Sequence, residues 1–264
     1  GNSVVDKGDY LVIWTTTPWT LPGNTAICVG PNLEYSRVLV DGKKYVVATD
    51  LLDSLKGEFG WENVEVINNF YGTDLEYVKY KHPFMDRISP VVLGDHVTLD
   101  AGSGLVHTAP SYGEDDFNVG KKYNLEMVFG VDDNGCLNAE SGERFKGLFF
   151  EDANKEVVKY LDELGVLLKL KFITHSYPHD WRTKKPIIFR ATAQWFCSID
   201  KIKDDILNEI DNNINWLPEW GKVRLHNMIE GRGDWCISRQ RVWGVPLPIF
   251  YNEDGSAILD YDVM

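Results

Sequence analysis

Eight short runs rich in β-branched and aromatic residues crowd the first 110 positions of this 264-residue chain, most of them bounded by glycine, proline, asparagine or aspartate. They are Tyr10–Thr16, Thr25–Val29, Tyr35–Val40, Lys44–Ala48, Val64–Phe70, Leu75–Tyr80, Val91–Leu93 and Leu105–Thr108. Runs this short are strands of a folded sheet, because branched side chains pack on a pleated surface and crowd a helix. Asp41-Gly42 between two of them predicts a tight hairpin, since both residues tolerate the positive φ of a type I′ turn. Helical spacing is rarer. Phe117–Tyr123 reads as one or two turns, and Glu151–Leu164 as a full helix with Ala153, Val157, Leu161 and Leu164 on one face and Gly165 as its stop. Many short strands with few helices between them predict a mixed α+β fold, β-barrel-like with flanking helices, and not a doubly wound sheet.

Near Phe172 the chain changes character, becoming dense in tryptophan, proline and basic residues, as in Tyr177–Arg182 and Lys184-Lys185-Pro186. The expected organisation is therefore one domain over residues 1–172 and a second segment over 173–264. The latter holds a polar helix at Asp204–Asp211 and a hairpin around Asn252–Ser256, and stops as if cut from a larger protein. The net charge of −13 argues against a general nucleic-acid binder, whose affinity rests on phosphate neutralisation. It is uneven: residues 1–171 carry 16 basic against 27 acidic side chains, while residues 172–264 carry 11 against 13. A ligand met only through the tip of an RNA fits such an acidic first domain. The four cysteines show no Cys-x-x-Cys spacing, and no apolar run approaches 18 residues. A reducing, cytoplasmic location without a membrane or a metal knuckle is expected, and a monomer.

Two segments carry chemistry. Trp14-Thr15-Thr16-Thr17-Pro18-Trp19-Thr20-Leu21-Pro22-Gly23-Asn24 runs three hydroxyls off an apolar strand into a loop stiffened by two prolines. About ninety residues later comes Gly102-Ser103-Gly104-Leu105-Val106-His107-Thr108-Ala109-Pro110, then Gly113-Glu114-Asp115-Asp116-Phe117. Each residue has a plain structural alternative. The threonines suit a β-branched strand end, His107 a hydrogen-bonded structural position, and Asn24 a turn after Pro-Gly. The three acids suit a helix N-terminus through its dipole.

Together these segments closely resemble the editing-site signature of the isoleucyl-tRNA synthetases, class I enzymes, and the resemblance runs from about Asp9 to about Phe250. Thr17 and Trp19 match the isoleucine branch, whereas the valine and leucine relatives carry a Thr-Thr-Arg-Pro pattern. Pro186–Phe196 and Asp234–Gly244 resemble strings that, in the family, lie where the inserted editing domain returns to the Rossmann core. No His-x-Gly-His and no Lys-Met-Ser-Lys-Ser element occurs, so activation with ATP and magnesium is expected only of a full-length enzyme. Gly23 stands where alanine is common, with little expected consequence. Asp180 and Thr183 replace cysteines found in some relatives, which removes a thiolate metal site.

The resemblance implies a hydrolase within a ligase: a deacylase that removes valine from tRNA(Ile). A cavity shaped for isoleucine rejects valine by only about 1–3 kcal/mol, and this amino-acid pair is itself the standard illustration of that limit. Hydrolysis in a second, smaller cavity needs a grip on the α-ammonium, a wall against the larger side chain and a placed water. By resemblance Asp116 is the grip and His107 the wall. Thr15, Thr16 and Thr17 meet the terminal ribose, the ester and the water, while Gly104, Thr108 and Ala109 line the substrate. Asn24 either orients the loop or bonds the substrate, and Trp19 either packs in the core or stacks on the terminal adenine. Direct water attack is expected, with neither metal nor covalent intermediate. Arg182, Lys184, Lys185, Arg190, Arg239 and Arg241 either guide tRNA or are simply solvated. The expected partners are the valine-bearing acceptor end of tRNA(Ile) and the remainder of the synthetase. The competing readings are a passive module that docks a tRNA acceptor end, and the editing domain of a valyl or leucyl relative.

Overall fold

The computed structural model describes residues 4–174, 176–239 and 244–260, which form two compact units divided at Ala191/Thr192. In the first unit the strands are β1 (Tyr10–Leu11), β2 (Ala26–Val29), β3 (Glu34–Val40), β4 (Lys43–Ala48), β5 (Val64–Tyr71), β6 (Lys79–Lys81), β7 (Ile88–Leu93) and β8 (Leu105–Thr108). They form two four-stranded sheets in the orders β1-β4-β3-β5 and β6-β7-β2-β8. The mixed α and β character agrees with the sequence, but neither sheet closes into a barrel. One apolar core joins them: Tyr35, Val46, Ala48 and Phe70 from the first sheet pack with Ile27, Val29, Val91 and Leu105 from the second. Each fully buried branched side chain contributes about 1.5–3 kcal/mol to this core.

The strand runs map closely onto the sheets, with two corrections. Tyr10–Thr16 pairs as a strand only at Tyr10–Leu11, plus a single bridge from Trp14 to Val106. Its threonine end turns away, because Thr15 Oγ1 accepts the Thr17 amide at 3.0 Å in place of a neighbouring strand. Leu75–Tyr80 is broken by a 3-10 turn at Gly72–Leu75 and by Tyr77 at φ 63°, so the regular strand begins only at Lys79. The hairpin at Asp41-Gly42 has the expected geometry, with φ 48° and 78°.

The helices of this unit are α1 (Leu52–Phe59), α2 (Glu114–Tyr123) and α3 (Phe150–Glu163). Sequence reasoning missed α1, whose eight residues give too short a periodic signal. In α3, Ala153 and Val157 are buried and Leu161 is partly so, but Leu164 falls beyond the last turn and is exposed. Ala153 and Val157 pack on Trp19 and Leu21 of a 3-10 turn at Pro18–Gly23, and Asn154 Oδ1 accepts the Trp19 amide at 2.9 Å. The compact first unit takes in residues beyond the compositional change at Phe172: Ala191 donates its amide to Ser111 O at 2.6 Å.

The second unit holds α4 (Asp200–Asn212), α5 (Trp220–Glu230) and two short antiparallel pairs, β9 (Phe196–Cys197) with β10 (Trp235–Cys236) and β11 (Phe250–Tyr251) with β12 (Ala257–Ile258). The predicted polar helix is thus longer at both ends, and the predicted hairpin is present. Among the described residues no helix is long and apolar enough to cross a membrane.

Candidate active site

Strand register brings the two signature segments together. Trp14 bridges Val106 in parallel, and β2 runs antiparallel to β8 with Ala26 opposite Thr108 and Ile27 opposite His107. The threonine run therefore lies beside the strand that carries His107. Between them opens a cavity of about 330 Å³, lined by residues that include Thr15, Thr16, Thr17, Gly104, His107 and Asp116. Thr16 is exposed and makes no hydrogen bond among the described residues, so its hydroxyl is available to a ligand.

His107 is buried, and its surroundings fix its protonation. Asn24 Nδ2 donates to Ala26 O at 2.8 Å, which sets the orientation of the carboxamide. The same nitrogen lies 2.8 Å from His107 Nδ1 and must donate to it. The ring proton then resides on Nε2, which donates to Thr20 Oγ1 at 2.9 Å. Thr20 passes its own hydroxyl proton to Thr17 O at 2.8 Å, so every group in the chain has a matched partner. Burial, with His82 as a smaller like-charge influence, pushes the His107 pKa down to about 3. The imidazole is neutral near pH 7 and neither nitrogen has a lone pair to spare. Such a ring shapes a wall and holds threonines; it is poorly placed to take a proton from water.

The three acids of the second segment divide. Gly113 precedes α2 without a side-chain cap, and Glu114 and Asp115 project to solvent in its first turn, favourable to the helix dipole. Asp116 is half-buried, lines the cavity and accepts the Ala109 amide on Oδ2 at 2.8 Å. Oδ1 has no hydrogen-bond partner among the described residues. Desolvation raises the Asp116 pKa, opposed by the Ala109 amide and by His96. A carboxylate held partly dry, with one oxygen open to a cavity, is suited to a cationic ligand.

The other predicted residues lie behind this surface. Trp19 is buried, edge-on to Tyr112 at 5.1 Å between centroids, and its ring packs in the core under α3. Asn24 is buried against His107, and the fully buried Thr108 accepts the Thr25 amide on its carbonyl at 3.0 Å. Ala109 contributes its amide to Asp116. Gly104 does line the cavity, at φ 79°, and a Cβ there would stand 2.3 Å from Ala48 Cβ. Gly23 matters more than its size suggests, because a Cβ would meet the Tyr112 ring at 2.6 Å and Tyr112 is itself part of the cavity wall.

Sequence reasoning passed over Thr20, His96 and Tyr112 as lining residues. Thr20 had a readable signal: in a 3-10 turn residues i and i+3 eclipse, which sets Thr20 under Thr17. His96 and Tyr112 carried none. Of the basic residues, Arg190 is paired with Asp133, Arg182 lies over the Trp181 ring at 4.7 Å, and Arg239 donates to the Cys236 and Ser238 carbonyls. Arg241, with the Gln240–Trp243 part of the last signature string, lies outside the described residues.

The sequence profile described as tRNA synthetases class I (I, L, M and V) matches residues 3–263. The isoleucine–tRNA ligase of Halalkalibacterium halodurans is 58% identical over 98% of this chain, and that of Bacillus cereus 57% over the same share. The chain spans 28% of the length of these curated relatives. Among solved structures, GlLeuRS-CP1 resembles the chain at a TM-score of 0.50 and 16% identity, covering 67% of this chain and 86% of that one. The editing domain of P. falciparum cytosolic leucyl-tRNA synthetase scores 0.47 at 14% identity, covering 60% and 78%.

Proposed function

The chain belongs to the class I tRNA synthetases, and we propose that its first unit is the proofreading part of an isoleucine-specific member, hydrolysing valine from mischarged tRNA(Ile). One observation carries this reading. Two segments about ninety residues apart in sequence close on a single cavity that offers hydroxyls on one side and a half-buried carboxylate on the other. The high identity to isoleucine–tRNA ligases supports the choice of amino acid.

In this reading the α-ammonium binds the open oxygen of Asp116. The side chain of the misloaded residue faces His107, and the terminal ribose lies along Thr15–Thr17. Water, held by the threonine hydroxyls, attacks the ester carbonyl carbon. The bond from that carbon to the ribose oxygen breaks, and the proton lost by water reaches the ribose oxygen with help from the neighbouring ribose hydroxyl. The products are the free amino acid and a tRNA with both terminal hydroxyls restored. An internal threonine lacks the free amine that would make it a nucleophile, so no acyl-enzyme forms. Ligation of isoleucine with ATP and magnesium, and binding of the tRNA body, are proposed for the complete protein.

The test is incubation of the purified chain with valine-charged and isoleucine-charged tRNA. Release of valine alone is expected. No release would favour a passive module that docks the acceptor end. His107→Ala is expected to admit isoleucine to hydrolysis; continued exclusion would remove its role as the wall.

A further inference from the structure

Three side chains of the β6–β7 hairpin reach across to the Pro18–Gly23 turn and the asparagine that follows it. His82 accepts the Phe84 and Met85 amides on Nδ1, at 3.2 and 3.0 Å, so its proton is on Nε2 and is donated to Leu21 O at 2.9 Å. Arg87 Nη1 donates to the carbonyls of Pro22 and Asn24, at 3.0 and 2.8 Å. Tyr80 donates its hydroxyl to Asn24 Oδ1. The His82 and Arg87 bonds hold backbone carbonyls. The Tyr80 bond holds the side chain on which His107 rests.

We infer that Tyr80 is a positioning residue for the proofreading reaction, its hydroxyl fixing the Asn24 carboxamide and, through it, the tautomer and orientation of His107. The effect on discrimination rests on the proposed hydrolytic function; the hydrogen-bond chain does not. Asn24 Nδ2 carries two protons, and Ala26 O and His107 Nδ1 take both at 2.8 Å, with Thr108 O a weaker contact at 3.5 Å. Its Oδ1 needs a donor of its own, and Tyr80 supplies it. Without that donor a buried carbonyl oxygen is left unsatisfied, and the carboxamide is no longer held in one orientation. His107 Nδ1 then loses its partner and the ring proton is free to move between nitrogens. Each time it leaves Nε2, Thr20 loses the donor that holds it under Thr17. Tyr80 does not line the cavity, which is why this role is one of positioning.

The test uses the chain labelled with ¹⁵N in its histidine rings and long-range ¹H–¹⁵N correlation at neutral pH. The unsubstituted chain is expected to show His107 as a single neutral form protonated on Nε2. Tyr80→Phe is expected to show His107 exchanging between both neutral tautomers, with discrimination between valine and isoleucine release reduced about tenfold. Tyr123→Phe removes a comparable hydroxyl, one bonded to Glu76 and the Leu93 amide, and should leave the His107 pattern unchanged. An unaltered His107 pattern in Tyr80→Phe, or the same alteration in Tyr123→Phe, overturns the inference. Should Tyr80→Phe lose its fold, the unsubstituted chain still decides. A Tyr80 hydroxyl proton protected from exchange and close to the Asn24 side chain upholds the contact, and a rapidly exchanging one overturns it. A chain that releases neither amino acid, yet shows the tautomer change in Tyr80→Phe, refutes the hydrolytic function and supports the role of Tyr80.

Discussion

Replacing Asp116 by asparagine removes one negative charge and little else. The new side-chain oxygen can still accept the Ala109 amide that Oδ2 accepts now at 2.8 Å, so the start of α2 keeps its anchor. What disappears is the partner for the substrate ammonium. A hydrogen bond to a charged group contributes about 1.5–3 kcal/mol, which at 1.4 kcal/mol per decade lowers kcat/KM for valyl-tRNA hydrolysis by about 10- to 150-fold. The ammonium is gripped equally before and during water attack, so the loss should fall mainly on KM. Desolvation raises the Asp116 pKa in the folded chain, and the charged carboxylate is the form that binds. Hydrolysis by the unsubstituted chain should therefore decline as pH falls through that raised value, while Asp116→Asn should lack this acid limb. The fold gives a second check. A raised carboxylate pKa means that the charged form opposes folding, so the variant should be no less stable than its parent near pH 7. Single-turnover deacylation over a pH series, with urea unfolding alongside, measures all three. An unchanged KM and an unchanged acid limb would refute the ammonium assignment; loss of stability with loss of activity would show Asp116 to be structural.

Two further outcomes follow from the packing. His107 and His82 are pushed down to about 3 and about 4 by burial, so both stay neutral in the folded chain while they protonate in the unfolded one below about 6.5. Stability is full above that value and falls as pH drops, each histidine costing about 2 kcal/mol by about pH 5, and equal urea midpoints at the two pH values would contradict this. Gly104→Ala combines a Cβ 2.3 Å from Ala48 Cβ with φ 79°, and should lower stability by about 2–5 kcal/mol; an unchanged melting temperature would show that the two sheets yield at this point.

The strands were legible because their side-chain chemistry is local: Glu34–Val40 and Lys43–Ala48 are branched, short and joined by a turn that only residues such as Asp41-Gly42 adopt easily. Where local chemistry was misleading, a side chain had taken over a backbone bond, as Thr15 does for Thr17 and Asp74 for Tyr71. The motif residues were legible as a set, but their roles were not. Glu114, Asp115 and Asp116 are adjacent and chemically alike, and only the rotation of α2 turns one of them into the cavity. The protonation and partners of His107 were open until the register of β2 against β8 placed Asn24 beside it.

By itself, then, the sequence determined the alternation of strands and turns, the presence of a threonine loop and a histidine–carboxylate segment, and the family resemblance those segments carry. Tertiary structure alone decided that Thr20 and Tyr80 belong to the same hydrogen-bond chain, that His107 is neutral with its proton on Nε2, and that no sheet among the described residues closes into a barrel. These are contacts between residues up to 87 positions apart. Their energies depend on strand register and burial, quantities that no stretch of neighbouring residues contains.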